Sequence, residues 1–189
     1  MSDRLLGRDE AISLLQEVGK ILTSKGAEAT IYVVGGIAMA LEYDSRRITR
    51  DVDAQIRNDT GHFWEAVSQV AHRHGLDPEW LNTSAVAFMS NEPDTATTDI
   101  NLPGLRVSVA SARHLIAMKL RSLRARDMDD LEVLFRSEGI SSPEEAAAIH
   151  DELFGESNIG YFDPEESLYA ARAVFERAAQ LGRPLAENP

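Results

Sequence analysis

One stretch limits what this chain can fold into more than any other: YVVGGIAMALEYDSRRITRDVDAQI, residues 32 to 56. The β-branched and aromatic run ATIYVV is stopped by Gly35 and Gly36, the pattern of a buried strand ended by a turn. IAMALEY then reads as a helix of two turns. After a cluster of arginines, RDVDAQIR alternates, with Val52, Ala54 and Ile56 on one face and Asp51, Asp53 and Gln55 on the other. A strand, a glycine turn, a short helix and a second strand already require a mixed α/β core.

The same residues suggest chemistry. Two glycines at a strand-to-helix turn let the backbone approach a bulky anion, and the helix that follows directs its free N–H groups and positive dipole end at it. Asp51 and Asp53 lie two apart in an extended segment, so they share a face with Cα atoms about 6.6 Å apart. That spacing suits one or two hard divalent cations; magnesium is commonly held by one or two carboxylates together with substrate phosphates. Taken singly, Gly-Gly is more often just a tight turn, and Asp-x-Asp more often a solvated strand face. Together, with a short helix returning the chain between them, they predict a phosphate site facing a metal site.

The rest of the chain frames this unit. Residues 9 to 24 carry Ile12, Leu15, Val18 and Leu22 at helical spacing, and Lys25-Gly26 ends that helix. A further helix is expected from Asp59 or Thr60 to His74, closed by Gly75. SAVAFMS and LRVSVAS read as two strands, with the threonine-rich stretch 91 to 101 between them as a hairpin or exposed loop. From Ser111 onward the pattern is helical. Ser142-Pro143-Glu144-Glu145 and Asp163-Pro164-Glu165-Glu166 each combine a capping residue, proline at the first helical position and acids in the first turn. The expected fold is therefore α/β (α+β): a mixed β-sheet flanked by helices over residues 1–110, with an all-helical C-terminal part, 111–189, packed on that core as one compact unit.

Composition narrows the function classes. With no cysteine, disulfides, thiolate catalysis and Cys-ligated zinc or iron–sulfur sites are excluded. The net charge of −12 opposes a protein that coats nucleic acid through bulk electrostatics. The charge is nevertheless uneven, with arginines at 46, 47 and 50 and basic residues again from Arg113 to Arg126, while acids dominate from Asp127 to Glu166. No run approaches the roughly 20 apolar residues of a membrane span, and the N-terminal residues lack the apolar core of a signal peptide. The expected location is the cytoplasm, with no membrane partner. His72 and His74, two apart on a helix, face different ways and make poor zinc partners; His62, His114 and His150 are isolated and read as structural or surface residues.

On Gly35, Gly36, Asp51 and Asp53, the chain resembles the nucleotidyltransferases of the DNA polymerase β superfamily, marked by a hydrophobic strand, Gly-Gly or Gly-Ser, a spacer and an acid-x-acid strand. The spacer here is 14 residues, at the long end of the family's range. A second block, SARHLIAMKLRSLRARDMDDLEVL at 111 to 134, is similar to that of the small bacterial AbiEii-type and MenT-type enzymes, the matching positions being Lys119, Arg126, Asp127 and Asp130.

The resemblance implies a nucleotidyltransferase-like fold and transfer of a nucleoside monophosphate from an NTP to an acceptor. It implies Asp51 and Asp53 as ligands of Mg2+, Gly35 and Gly36 as backbone contacts to the phosphates, and Lys119 as a charge-neutralising group. Asp127 and Asp130 would orient Lys119, complete the acidic site or cap a helix junction. Arg46, Arg47 and Arg50 would contact phosphate or the acceptor. In its sharpest form it implies a toxin acting on the 3′ end of tRNA and neutralised by a cognate antitoxin protein. Alternatives in view are an antibiotic-modifying or protein-modifying nucleotidyltransferase, and a degenerate module that binds nucleotide without turnover. Many superfamily members carry a third carboxylate on a later strand; LRVSVAS and SAVAFMS contain no acid, which leaves Asp99 as the candidate.

Overall fold

A computed structural model of the chain describes residues 4–155 and 164–185. It divides into two compact units, one formed by Met1–Ala87 with Ala96–Ala110 and the other by Phe88–Thr95 with Ser111–Pro189.

The first unit is built on a five-stranded mixed sheet. Its elements in chain order are α1 (Arg8–Ser24), β1 (Ala29–Val33), α2 (Gly35–Ala38, continued by a wider π-helical turn at Met39–Tyr43), β2 (Val52–Asp59), α3 (Phe63–His74), β3 (Leu81–Asn82), β4 (Thr98–Leu102) and β5 (Leu105–Val109). The sheet order is β3-β2-β1-β5-β4, with β1 antiparallel to β2 and parallel to β5. β2 and β3 are parallel, and β4 and β5 form an antiparallel hairpin.

Strand alternation sorts the residues onto two faces. Ile31, Val33, Val52, Ala54, Leu105, Val107 and Val109 are buried on one. The other carries the polar row Gln55, Tyr32, Ser108 and Asp99, in register across four strands. Helix α1 lies against α3 and the β4–β5 hairpin through a stripe of Ala11, Leu14, Leu15, Val18 and Leu22. Ile12, expected in that stripe, is only half-buried because the buried arc is centred on Leu15 and Val18. Lys25 ends α1 and Gly75 caps α3 in the left-handed conformation, both as the sequence predicts.

Two sheet assignments differ from expectation. SAVAFMS is not a strand: Ser84–Phe88 forms a 3-10 turn. Its start is diverted by Asn82, whose side-chain oxygen accepts from Ser84 N at 2.8 Å, and none of its residues is buried. The strand paired with LRVSVAS comes instead from the polar stretch, as β4. Helix α3 also begins later than expected, at Phe63, because β2 stays paired with β1 as far as Ala29 opposite Asp59.

The second unit contains α4 (Ala112–Ser122), α5 (Ala125–Glu138), α6 (Pro143–Phe154) and α7 (Pro164–Gln180). Helix α4 is central, packed against α5, α6 and α7, and its Leu115, Ile116 and Leu120 are fully buried. Phe135 of α5 meets Phe175 of α7 with ring centroids 5.6 Å apart. Ser111 caps α4 by accepting from His114 N, and Ser142 caps α6 by accepting from Glu145 N. Helix α7 starts at Pro164; its expected capping residue, Asp163, lies outside the described residues.

Segment 88–95 belongs to this helical unit and is tied to it by side chains. Asp94 accepts from Ser111 N at 2.9 Å, His114 Nε2 stands 3.2 Å from the Glu92 carbonyl, and Ser90 donates to the Leu153 carbonyl. His150 is buried and stacks on Phe154. Among the described residues, no helix is long and apolar enough to cross a membrane.

Candidate active site

Strand β1 ends at Val33, and Val34 remains hydrogen-bonded to β2 by donating to Asp53 O at 3.0 Å. The chain then turns into α2 through Gly35, whose φ of +67° is one that a residue with a side chain rarely adopts. The turn is also crowded. A Cβ on Gly35 would fall 3.0 Å from Asp53 Oδ2, and one on Gly36 would fall 2.8 Å from Thr49 Oγ1. The two glycines therefore bring bare backbone directly against the acid-x-acid segment, and the structure gathers Gly35, Gly36, Asp51 and Asp53 in one place within the first unit.

Asp51 stands one residue before the first paired residue of β2, and both aspartates are partly exposed. Asp53 is opposite Asn82 in the parallel β2–β3 pair. Asn82 Nδ2 reaches Asp51 Oδ2 at 3.4 Å, and Thr49 Oγ1 lies 3.4 Å from Asp51 Oδ1. Asp51 forms no ion pair with any described residue. Thr49 and Asn82 are the residues that sequence reasoning missed. Thr49 had a faint signal, a hydroxyl two residues before Asp51; Asn82 had none, because only the parallel pairing of a two-residue strand delivers it.

The donor set suits a hard cation. Two partly exposed carboxylates offer oxygen ligands, and among the described residues no group of three or more His, Cys, Asp or Glu forms a closed metal cage. This is the arrangement in which magnesium is held through one or two carboxylates, the remaining positions being left to water and phosphate.

The arginine loop between α2 and β2 is divided. Arg46 is bound to Asp44 through its backbone N–H at 3.1 Å and its guanidinium at 3.2 Å. The backbone hydrogen bond from Arg46, with help from its side chain, holds the Asp44 carboxyl below its ordinary range. Arg47 donates to the Ile48 carbonyl at 2.9 Å. Arg50 is exposed, next to Asp51, and makes no hydrogen bond or ion pair with a described residue.

Asp99 is not placed to join Asp51 and Asp53. It sits on β4 at the far edge, three strand positions from β2, which at about 4.8 Å per strand is about 14 Å. Its carboxyl accepts from Ser108 Oγ at 2.6 Å and pairs with Arg106, and those hydrogen bonds, Ser108's first, lower its pKa.

The second block forms its own cluster in the helical unit. Lys119 Nζ donates to Asp127 Oδ1 at 2.9 Å and to Asp130 Oδ2 at 2.7 Å, and all three side chains are at most 7% exposed. Asp127 also caps α5, accepting from Arg124 N at 3.0 Å and Ser122 Oγ at 2.8 Å. Of the three roles the sequence left open for the aspartates, orienting Lys119 and capping the helix junction are both visible. Arg126, in the first turn of α5, is exposed.

No curated protein matches the sequence significantly. In structure, the chain is similar to an antigenic nucleotidyltransferase-like protein from Paracoccidioides brasiliensis, with 15% identity and a TM-score of 0.50 over 96% of this chain and 94% of that one. That likeness shows the fold, a nucleotidyltransferase-like mixed sheet flanked by helices with a helical C-terminal part. Residues 9–151, most of the chain, match the model of the family described as nucleotidyltransferase of unknown function (DUF6036), and the chain belongs to that family.

Proposed function

We propose that this protein is a metal-dependent nucleotidyltransferase that moves a nucleoside monophosphate from an NTP to the 3′ end of tRNA, acting in the cytoplasm as the toxin of a toxin–antitoxin pair. The observation that carries the transferase reading is the Gly35–Asp53 contact, which sets bare helix-initiating backbone against the second carboxylate of the acid-x-acid pair. The toxin and tRNA parts rest on the AbiEii-like and MenT-like pattern of Lys119, Arg126, Asp127 and Asp130.

In the reaction, the acceptor hydroxyl gives up its proton to water as its oxygen bonds to the α-phosphorus, the bond from the α-phosphorus to the bridging oxygen breaks, and pyrophosphate leaves with that bond's electron pair. Catalysis of this kind is mostly positioning and charge neutralisation. The N–H groups at Gly35 and Gly36 donate to phosphate oxygens and fix the triphosphate. Asp51 and Asp53 hold Mg2+, which when bound supplies positive charge to the phosphates. Arg50, with its charge uncompensated, receives acceptor phosphate. Lys119 keeps the α4–α5 junction in shape through Asp127 and Asp130.

The test is transfer of label from each NTP in turn, with magnesium, into total RNA, a protein lysate or an aminoglycoside panel, beside the Asp51→Ala, Asp53→Ala double variant. Label confined to tRNA and absent with the variant supports the reading. Label in protein or drug replaces the acceptor, and nucleotide binding without transfer to any acceptor removes the enzyme reading.

A further inference from the structure

We propose that Thr49 and Asn82 are positioning residues that aim the Asp51 carboxylate at the metal, one holding each of its oxygens. This rests on the metal-dependent reading above.

Each brace is itself fixed. Thr49 is held by the isolated bridge to Leu6, with Leu6 N donating to Thr49 O at 2.7 Å and Thr49 N donating to Leu6 O at 3.0 Å. Its side chain is confined on the other side by Gly36, where any Cβ would meet it. Asn82 is anchored by β3 pairing and by Ser84 N, which can only donate, so the side-chain oxygen must face Ser84. That fixes the amide nitrogen on the other side, where its two N–H groups point to Glu79 O at 3.3 Å and Asp51 Oδ2 at 3.4 Å. The amide orientation is thus set by the network, not by Asp51.

Both donors are neutral, and this matters for a metal ligand. An arginine or lysine in either place would cancel much of the charge the cation needs, as Lys119 does for Asp127. A hydroxyl and an amide restrict rotation of the carboxylate and leave its charge, and one lone-pair direction on each oxygen, for a cation. Both contacts are long at 3.4 Å, and polar contacts of this kind commonly tighten when the site is filled.

The test is Mn2+ affinity measured by electron paramagnetic resonance with an unreactive NTP analogue, in the full chain, with thermal melting as a folding control. Thr49→Val keeps the volume against Gly36 and removes the hydroxyl; Asn82→Ala removes the amide. Each is expected to weaken Mn2+ by about 10–100-fold, the range typical when a group supporting a ligand is lost, and Thr49→Ser is expected to restore it. If the wild type binds Mn2+ and Asp51→Asn abolishes that binding, while Thr49→Val and Asn82→Ala both stay within about twofold, the positioning role is overturned and the metal reading stands. If the wild type takes up no Mn2+, both fall together.

Discussion

Gly35 and Asp53 touch so closely that the smallest side chain at the glycine would place its Cβ 3.0 Å from Asp53 Oδ2. Gly35→Ala therefore meets two penalties, the left-handed φ at about 1–2 kcal/mol and the push against the carboxylate. Gly75 supplies the control, since its φ is +61° but a Cβ added there would meet no atom within 4 Å. The expected outcome by denaturant titration is a loss of about 1–2 kcal/mol for Gly75→Ala and a larger one for Gly35→Ala, with nucleotidyl transfer reduced about a hundredfold only for Gly35→Ala. Equal activity in the two variants would contradict a catalytic role for the turn.

The buried cluster around Lys119 makes a sharper statement about stability. Lys119→Met leaves Asp127 and Asp130, each at no more than 7% exposure, without the Lys119 charge. Breaking a buried pair by removing one partner costs about 3–5 kcal/mol, whereas removing all the charges together is often close to neutral. Urea denaturation should show a large loss for Lys119→Met and recovery of most of it in the triple variant Lys119→Met, Asp127→Asn, Asp130→Asn. Asparagine at 127 still offers an oxygen to cap α5.

Acid sensitivity follows from the same aspartate. Burial pushes the Asp127 pKa up, but the Lys119 charge and hydrogen bonds from Lys119, Ser122 and Arg124 N outweigh it, so the folded value lies below the ordinary 3.8. A carboxyl whose folded pKa is depressed contributes stability that is complete above the unfolded value and is lost as pH falls through the folded one. Melting temperature followed downward from pH 5 should therefore decline below about pH 4. The decline should be shallower in Asp127→Asn, whose side chain does not titrate.

How much of this was legible in the sequence depended on whether the signal was local. The turn at Gly35, the start of the helical part near Ser111, the cap at Ser142 and the close of α3 at Gly75 are set by residues next to one another, and each appears where the sequence places it. Strand β4 was also locally written, since Asp99–Leu102 alternates polar and apolar and Pro103-Gly104 makes a hairpin turn into β5. The threonine-rich surroundings obscured it, and the more apolar SAVAFMS drew the assignment instead. Asn82 beside Asp51 was not legible, because it depends on a two-residue parallel pairing 31 residues away. The burial of Lys119 was hidden for a related reason: spacing brings Asp127 and Asp130 onto one face, but only the sharp α4–α5 junction at Leu123, with φ of +34°, folds that face back onto the lysine.

Asp51 provides the test that separates function from stability most cleanly. Its carboxylate accepts from Thr49 and Asn82 and is neutralised by no described cation, while Asp53, two residues on, carries like charge. In Asp51→Asn the new amide can still accept from Asn82 and can donate to the Thr49 hydroxyl, which accepts as readily as it donates. No buried group loses its partner, and one like-charge repulsion disappears. Thermal melting should place the variant within about 0.5 kcal/mol of the wild type. Transfer should fall by about 10²–10³, the scale seen when a group stabilising transition-state charge is removed. Chelation of divalent cations should bring the wild type to the same low rate and leave the variant unaffected. A variant that keeps wild-type turnover would mean that Asp51 is no more than an acid at the mouth of β2.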